Sequence, residues 1–228
     1  MSIGDTIQRR VMPRTIVGLS TVRAPGRVAA SVRRARGGRA TVRLFVAFDD
    51  PYSAVALLGL RERLARRPAD LVVEAVVKRG IKDDPAVAAK RAHAVTDARR
   101  LALRDQRMLV RQAPLVARDV AFLATWTAAL PQAGGRRVAF AAAALEHLWF
   151  ASGGAVTPGP FRALWHEHAG GAEPPAAHPG VAAAEATMRR RGLYDTPIAT
   201  VHGQWFFAHE RQAQIEHRLD ELGWGAAA

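Results

Sequence analysis

The residues most suited to chemistry lie in Phe48-Asp49-Asp50-Pro51-Tyr52-Ser53. Proline is favoured in the first turn of a helix, and an aspartate just before it can cap free backbone N–H groups. A helix start also gathers partial positive charge, so it stabilises an anion placed there. Asp50 therefore has three readings: an ordinary helix cap with Asp49 pointing away, a general acid–base group, or part of a binding site that performs no chemistry. Ser53, three residues on, supplies a hydroxyl. Thr196-Pro197 enters a later apolar segment, and an X–Pro bond there suits a tight backbone approach. Glu210 and Arg211 open the last helical stretch, where they serve as cap and surface charge or as ligand contacts.

Other chemistries find less support. The chain has no cysteine, which excludes thiol–disulfide exchange, thiolate metal sites and cysteine nucleophiles. The lack of disulfides fits a cytoplasmic setting. Eight histidines are scattered, and His166-Glu167-His168 places its histidines two apart, which does not share a helix face. No His-Glu-x-x-His pattern occurs, so no metal is expected. Gly153-Gly154 and Gly170-Gly171 lack the lysine and spacing of a phosphate loop, and no nucleophile elbow surrounds Ser53.

The elements that must position these residues follow from the pattern. Val42, Leu44, Val46 and Phe48 alternate as in a strand. Tyr52 to Ala65 carries Val55, Leu58, Leu60 and Leu64 at helical spacing, and Leu71–Val77 is a short β-branched run. This is a β-α-β unit, which implies parallel strands. From Asp84 to Arg191 only helices are expected, over Pro85–Arg111, Leu115–Leu130, Arg136–Ser152, Pro160–His168 and Val181–Arg191. Pro197–His202 and Gln204–Phe207 flank Gly203 as a hairpin, with Trp205, Phe206 and Phe207 completing its packing. Ala208–Leu222 then reads as an amphipathic helix. The expected fold class is α/β, β-α-β then β-β-α, with residues 41–83 and 192–224 in one domain and a helical insertion over 84–191.

The formal charge is +13 over 228 residues. Residues 1–40 hold nine arginines and one aspartate, so +8 of that charge sits in a segment with no sustained helical or alternating pattern, expected to be flexible. The body mixes both signs and lacks a basic helix with interleaved aromatics, which argues against nucleic acid as partner. No apolar run approaches the ~20 residues of a membrane span.

The layout resembles the DsbA-like branch of the thioredoxin superfamily, in which a helical domain interrupts a thioredoxin-like fold. Asp50-Pro51-Tyr52-Ser53 sits where that branch keeps Cys-Pro-x-Cys, and Thr196-Pro197 looks like its cis-proline. Within the branch the chain is most similar to 2-hydroxychromene-2-carboxylate isomerases and kappa-class glutathione transferases. Trp205 to Arg211 resembles their aromatic hairpin and Gly-x-Asp-Arg helix start, with Ala208 and Glu210 as departures. Lys90, Asp97, Arg99 and Arg100 add a further match. The resemblance covers residues 42–224. It implies an isomerisation or glutathione transfer on a small aromatic or polyketide-like molecule, with Asp50 and Ser53 at the reaction centre. Glutathione is the implied cofactor, and Tyr52, Thr196, Pro197, Glu210 and Arg211 would line its groove. The resembled enzymes are commonly dimers. Asp50 departs from the serine or cysteine of these relatives: as a carboxylate it has no donor hydrogen and repels a thiolate, which leaves a protein that binds a ligand without catalysis as the alternative.

Overall fold

A computed structural model describes residues 24–81 and 83–226 of the chain. The first described element is a helix, α1 (Ala24–Ala35), followed by β1 (Ala40–Val46), α2 (Pro51–Leu64) and β2 (Ala69–Ala75). The insertion contributes α3 (Val87–Arg104), α4 (Ala117–Ala129), α5 (Arg136–Glu146), α6 (Pro158–Ala169) and α7 (Pro179–Arg190). The chain closes with β3 (Ile198–Val201), β4 (Gln204–Phe207) and α8 (Gln212–Glu221). The expected β-α-β, helical insertion, β-β-α order is the observed one.

The four strands form one sheet in the order β2-β1-β3-β4. β1 runs parallel to β2, with Val46 opposite Ala75, and antiparallel to β3, with Phe45 opposite Ile198. Alternation along β1 gives the sheet two dry faces. Val42, Leu44 and Val46 join a main core that also holds residues of α2, α8 and the insertion, among them Leu123, Phe140 and Trp149. Phe45 and Ala47 face a smaller cluster in which Ala184 and Met188 of α7 pack on Ile198. Phe206 turns to the main core, while Trp205 and Phe207 pack on the smaller one. β2 meets the insertion at Val73, whose carbonyl accepts from the Gln132 side-chain amide at 2.8 Å, and at Glu74, which pairs with Arg137 at 3.6 Å.

α2 is buried on nearly every side, which explains its run of apolar residues without a polar face. α8 packs against it at Gly59: a side-chain carbon there would lie within 3 Å of the Gln212 amide, so glycine lets the two helices touch. After α5 the helix widens into a π-helical turn, His147–Ala151, that buries Leu148 and Trp149.

Residues 24–40 depart from the patternless segment expected there. They form α1, and Arg39 pairs with Asp70 at 2.6 Å before entering β1. The helix buries Ala30 while Val28 and Val32 stay exposed, so the apolar periodicity that reveals other helices is missing. Residues 1–23, where the rest of that expectation falls, lie outside the described residues. No helix among the described residues is long and apolar enough to cross a membrane.

Candidate functional site

β1 ends at Val46, and the chain turns through Ala47–Asp50 into α2 at the carboxyl edge of the parallel pair, where open α/β sheets place their ligands. Pro51 starts the helix and Asp50 caps it: the Tyr52 N–H donates to Asp50 Oδ1 at 3.2 Å. The other carboxylate oxygen is held twice. Ser53 Oγ donates to Oδ2 at 2.8 Å, and Thr196 Oγ1 donates to the same atom at 2.9 Å. Thr196 reaches Asp50 because β3 pairs with β1, and its bond to Pro197 is cis. The two segments 146 residues apart thus meet across one cleft.

Asp50 is 2% exposed. Burial pushes its carboxyl up from the ordinary 3.8 to about 6, against the nearby Arg79 guanidinium and the hydroxyls of Ser53 and Thr196, which favour the charged form. Bond accounting on the carboxylate is informative: Oδ2 accepts two hydrogen bonds and Oδ1 one, so the uncommitted lone pair lies on Oδ1. Ser53 also accepts from the Ala47 N–H at 3.1 Å, so its single proton is spent on Asp50.

Asp49 does not point away. It is 4% exposed and accepts from both Arg79 Nε and Nη2, at 3.4 and 3.2 Å. Arg79 also donates from Nη1 to Asp195 at 3.1 Å. Burial opposes the charge on Arg79, but Asp50, Asp49 and Asp195 more than restore it and hold the guanidinium protonated. Arg91 stands 3.7 Å from Asp49 on the insertion side. The result is a fixed cation beside Asp50, built from both halves of the fold.

Tyr52 lies half-buried at the cleft wall and donates its hydroxyl to Asp97 Oδ2 at 3.1 Å; burial and that bond to a carboxylate raise its pKa. The His209 ring stacks on Tyr52 with centroids 4.1 Å apart, and burial lowers its pKa, favouring the neutral imidazole. The cleft encloses about 230 Å³. Its polar floor is Asp49, Asp50, Arg79 and Thr196, and its walls include Ile81, Val87, Tyr194 and Phe207. Ile81, Val87 and Tyr194 are exposed apolar side chains gathered at this one mouth.

The expected site residues divide. Asp50, Tyr52 and Thr196 line the cleft, Ser53 lies buried directly beneath, and Pro197 is buried behind Thr196. Glu210 and Arg211 do not line it: both are exposed, and Arg211 borders a separate depression beside β4 and α8. The reason is that α8 begins only at Gln212, after Arg211 has turned away as its N-cap without a side-chain bond. Arg79, Asp195 and His209 are the residues that sequence reasoning missed. Of the insertion residues, Lys90 lines the cleft and pairs with Asp84, and Asp97 receives Tyr52; Arg99 and Arg100 take no part in its lining. Among the described residues no three histidine, aspartate or glutamate side chains group as metal ligands.

The donor set does not suit a glutathione thiolate at the helix start. Both hydroxyls are committed to Asp50, the Tyr52 hydroxyl is committed to Asp97, and an ionised Asp50 repels a second anion.

Fold and cleft together define a thioredoxin-like α/β fold with a helical insertion and an aspartate at the start of α2. A solved structure of 2-hydroxychromene-2-carboxylate isomerase shares this fold with a TM-score of 0.64, covering 80% of this chain and 95% of that one at 15% sequence identity. No family model and no curated protein matches the sequence.

Proposed function

We propose that the protein is an isomerase-type enzyme for a small molecule with an aromatic or otherwise apolar body, working by acid–base chemistry at Asp50. One observation carries this: a buried carboxyl, pushed up by burial to about 6, faces a cleft, with one lone pair of Oδ1 uncommitted. A general base is most effective when its pKa lies near the working pH. Asp50 would take a proton from the substrate on Oδ1 and return it to another atom of the same molecule. Ser53 and Thr196 would hold the carboxylate in place through Oδ2. Arg79, clamped by Asp49 and Asp195, would offset negative charge that develops on the substrate. The apolar side chains at the mouth suit the body of such a molecule.

Glutathione, the cofactor the resemblance implies, enters as a separate question, because the donor set argues against its thiolate. The protein can be tested on 2-hydroxychromene-2-carboxylate, the compound named for the similar structure, with and without glutathione. Turnover is expected without glutathione, rising as pH passes through about 6, and at least a hundredfold lower in Asp50→Asn. Undiminished turnover in Asp50→Asn would remove Asp50 from the chemistry. Thermal shift at millimolar glutathione decides the cofactor: no stabilisation retires it, while binding that strengthens in Asp50→Ser supports it.

A second reading is favoured by the cap bond itself. Asp50 Oδ1 already accepts the Tyr52 N–H, which is what a purely structural N-cap does. On that reading the cleft binds a ligand or partner without chemistry, and calorimetry detects binding where no turnover occurs.

A further inference from the structure

Arg111 is a charged side chain in an unusual place. It follows α3 in the insertion, is 6% exposed, and among the described residues forms no ion pair. Burial lowers its pKa, and no carboxylate offsets that. A buried charge without a counter-charge is costly, so its remaining contacts matter. Nε donates to the Leu148 carbonyl and Nη2 to the Gly154 carbonyl, each at 2.8 Å. A guanidinium carries five N–H donors, so three remain.

The cavity beside it, of about 70 Å³, brings Arg111 together with Ser152, Thr157 and the first turn of α6. Ser152 Oγ accepts from the Gly154 N–H at 3.4 Å and keeps its own proton to donate. Thr157 is the N-cap of α6, yet its hydroxyl makes no cap bond. Pro158 and Pro160 have no N–H, so the first turn has the Gly159 N–H as its free donor; Gly159 adjoins the lining residues Thr157 and Pro160 without lining the cavity itself, and the positive end of the helix dipole lies there. Nothing crowds Gly159. Among the side chains that line the cavity, Arg111, Ser152 and Thr157 offer donors, His147 adds an imidazole, and none carries a negative charge.

We propose that this pocket binds a single phosphate-type oxyanion, clasped by the Arg111 guanidinium, the Ser152 and Thr157 hydroxyls and the N-terminus of α6. The volume admits one phosphate-sized group and no nucleoside, and the exposed lip at Thr157–Pro160 gives access from solvent. The site is independent of the Asp50 cleft.

The test is a titration of the ¹⁵N-labelled full chain with inorganic phosphate and, separately, with glycerol phosphate. The readout is the Gly159 amide and the Arg111 Nε–H resonances. Saturable shifts at millimolar or lower concentration are expected, weakened about tenfold by Arg111→Lys, which keeps the charge but loses the fork. Exposed Thr157→Val should weaken binding severalfold and leaves the core untouched, so it serves if Arg111→Lys fails to fold. Response to inorganic phosphate assigns a free ion, and response to the ester alone assigns a terminal phosphate of a larger molecule. No saturable shift with either probe overturns the proposal, as does an equal response at the exposed Arg36 and Arg39.

Discussion

The pH dependence of stability is the direct consequence of Asp50. Its folded-state pKa of about 6 lies above the ordinary 3.8, so the native protein holds this proton more tightly than the unfolded chain does. The favourable contribution is complete below about pH 4, declines as pH rises toward 6, and is lost above that. The difference between 3.8 and about 6 corresponds to about 3 kcal/mol. Part of this is already lost at pH 4.5, so Asp50→Asn, which mimics the protonated form, should gain about 2 kcal/mol over the wild type between pH 4.5 and pH 7.5. Urea denaturation of both proteins at the two pH values checks this, and a pH-independent difference refutes it. Asp50 itself was readable from the sequence, because aspartate before proline announces a helix start. Arg79 was not: its partners Asp49 and Asp195 lie 30 and 116 residues away, and nothing local marks the pairing. Glu210 and Arg211, which lie outside the cleft lining, show the converse, since a motif-like position says nothing about which way a cap turns.

Among the elements, α2 is the one whose packing leaves least freedom. Gly59 touches the Gln212 amide, which donates to the Val55 carbonyl at 3.4 Å and accepts from Arg63 Nε at 2.9 Å. Gly59→Ala gains helix propensity of about 1 kcal/mol but must displace a buried, hydrogen-bonded side chain. Net destabilisation of about 1–3 kcal/mol is expected by urea denaturation, and a stabilised variant would show that Gln212 moves freely. Strands and core helices were legible because alternation and 3.6-residue spacing record their buried faces. α1 was not, since Val28 and Val32 stay exposed beside the buried Ala30 and leave no periodic trace. The π-helical turn at His147–Ala151 was equally silent, because its apolar residues continue the pattern of α5.

At the scale of the whole molecule, sheet and insertion share a core. Val42, Leu44 and Val46 of β1 belong to the same cluster as Leu123, Phe140, Trp149 and Phe161 of the insertion, and Trp149 Nε1 donates to the Phe48 carbonyl at 3.1 Å. The sequence divides the chain where strands give way to helices, but burial crosses that line. Cooperative unfolding in one step is therefore expected: tryptophan fluorescence, dominated by the insertion through Trp126, Trp149 and Trp165, should coincide with far-ultraviolet circular dichroism. Separate midpoints would mean that the insertion unfolds alone.

The amide of Gln132, seated on the Val73 carbonyl, has a further effect. A sheet can be extended by any chain that finds its outer peptide groups free. One border of this sheet is roofed by the protein's own insertion, and the opposite border, β4, offers only four residues. Neither side gives a stranger's backbone a long ladder to climb, so the fold is guarded against fibrillar growth by its own architecture.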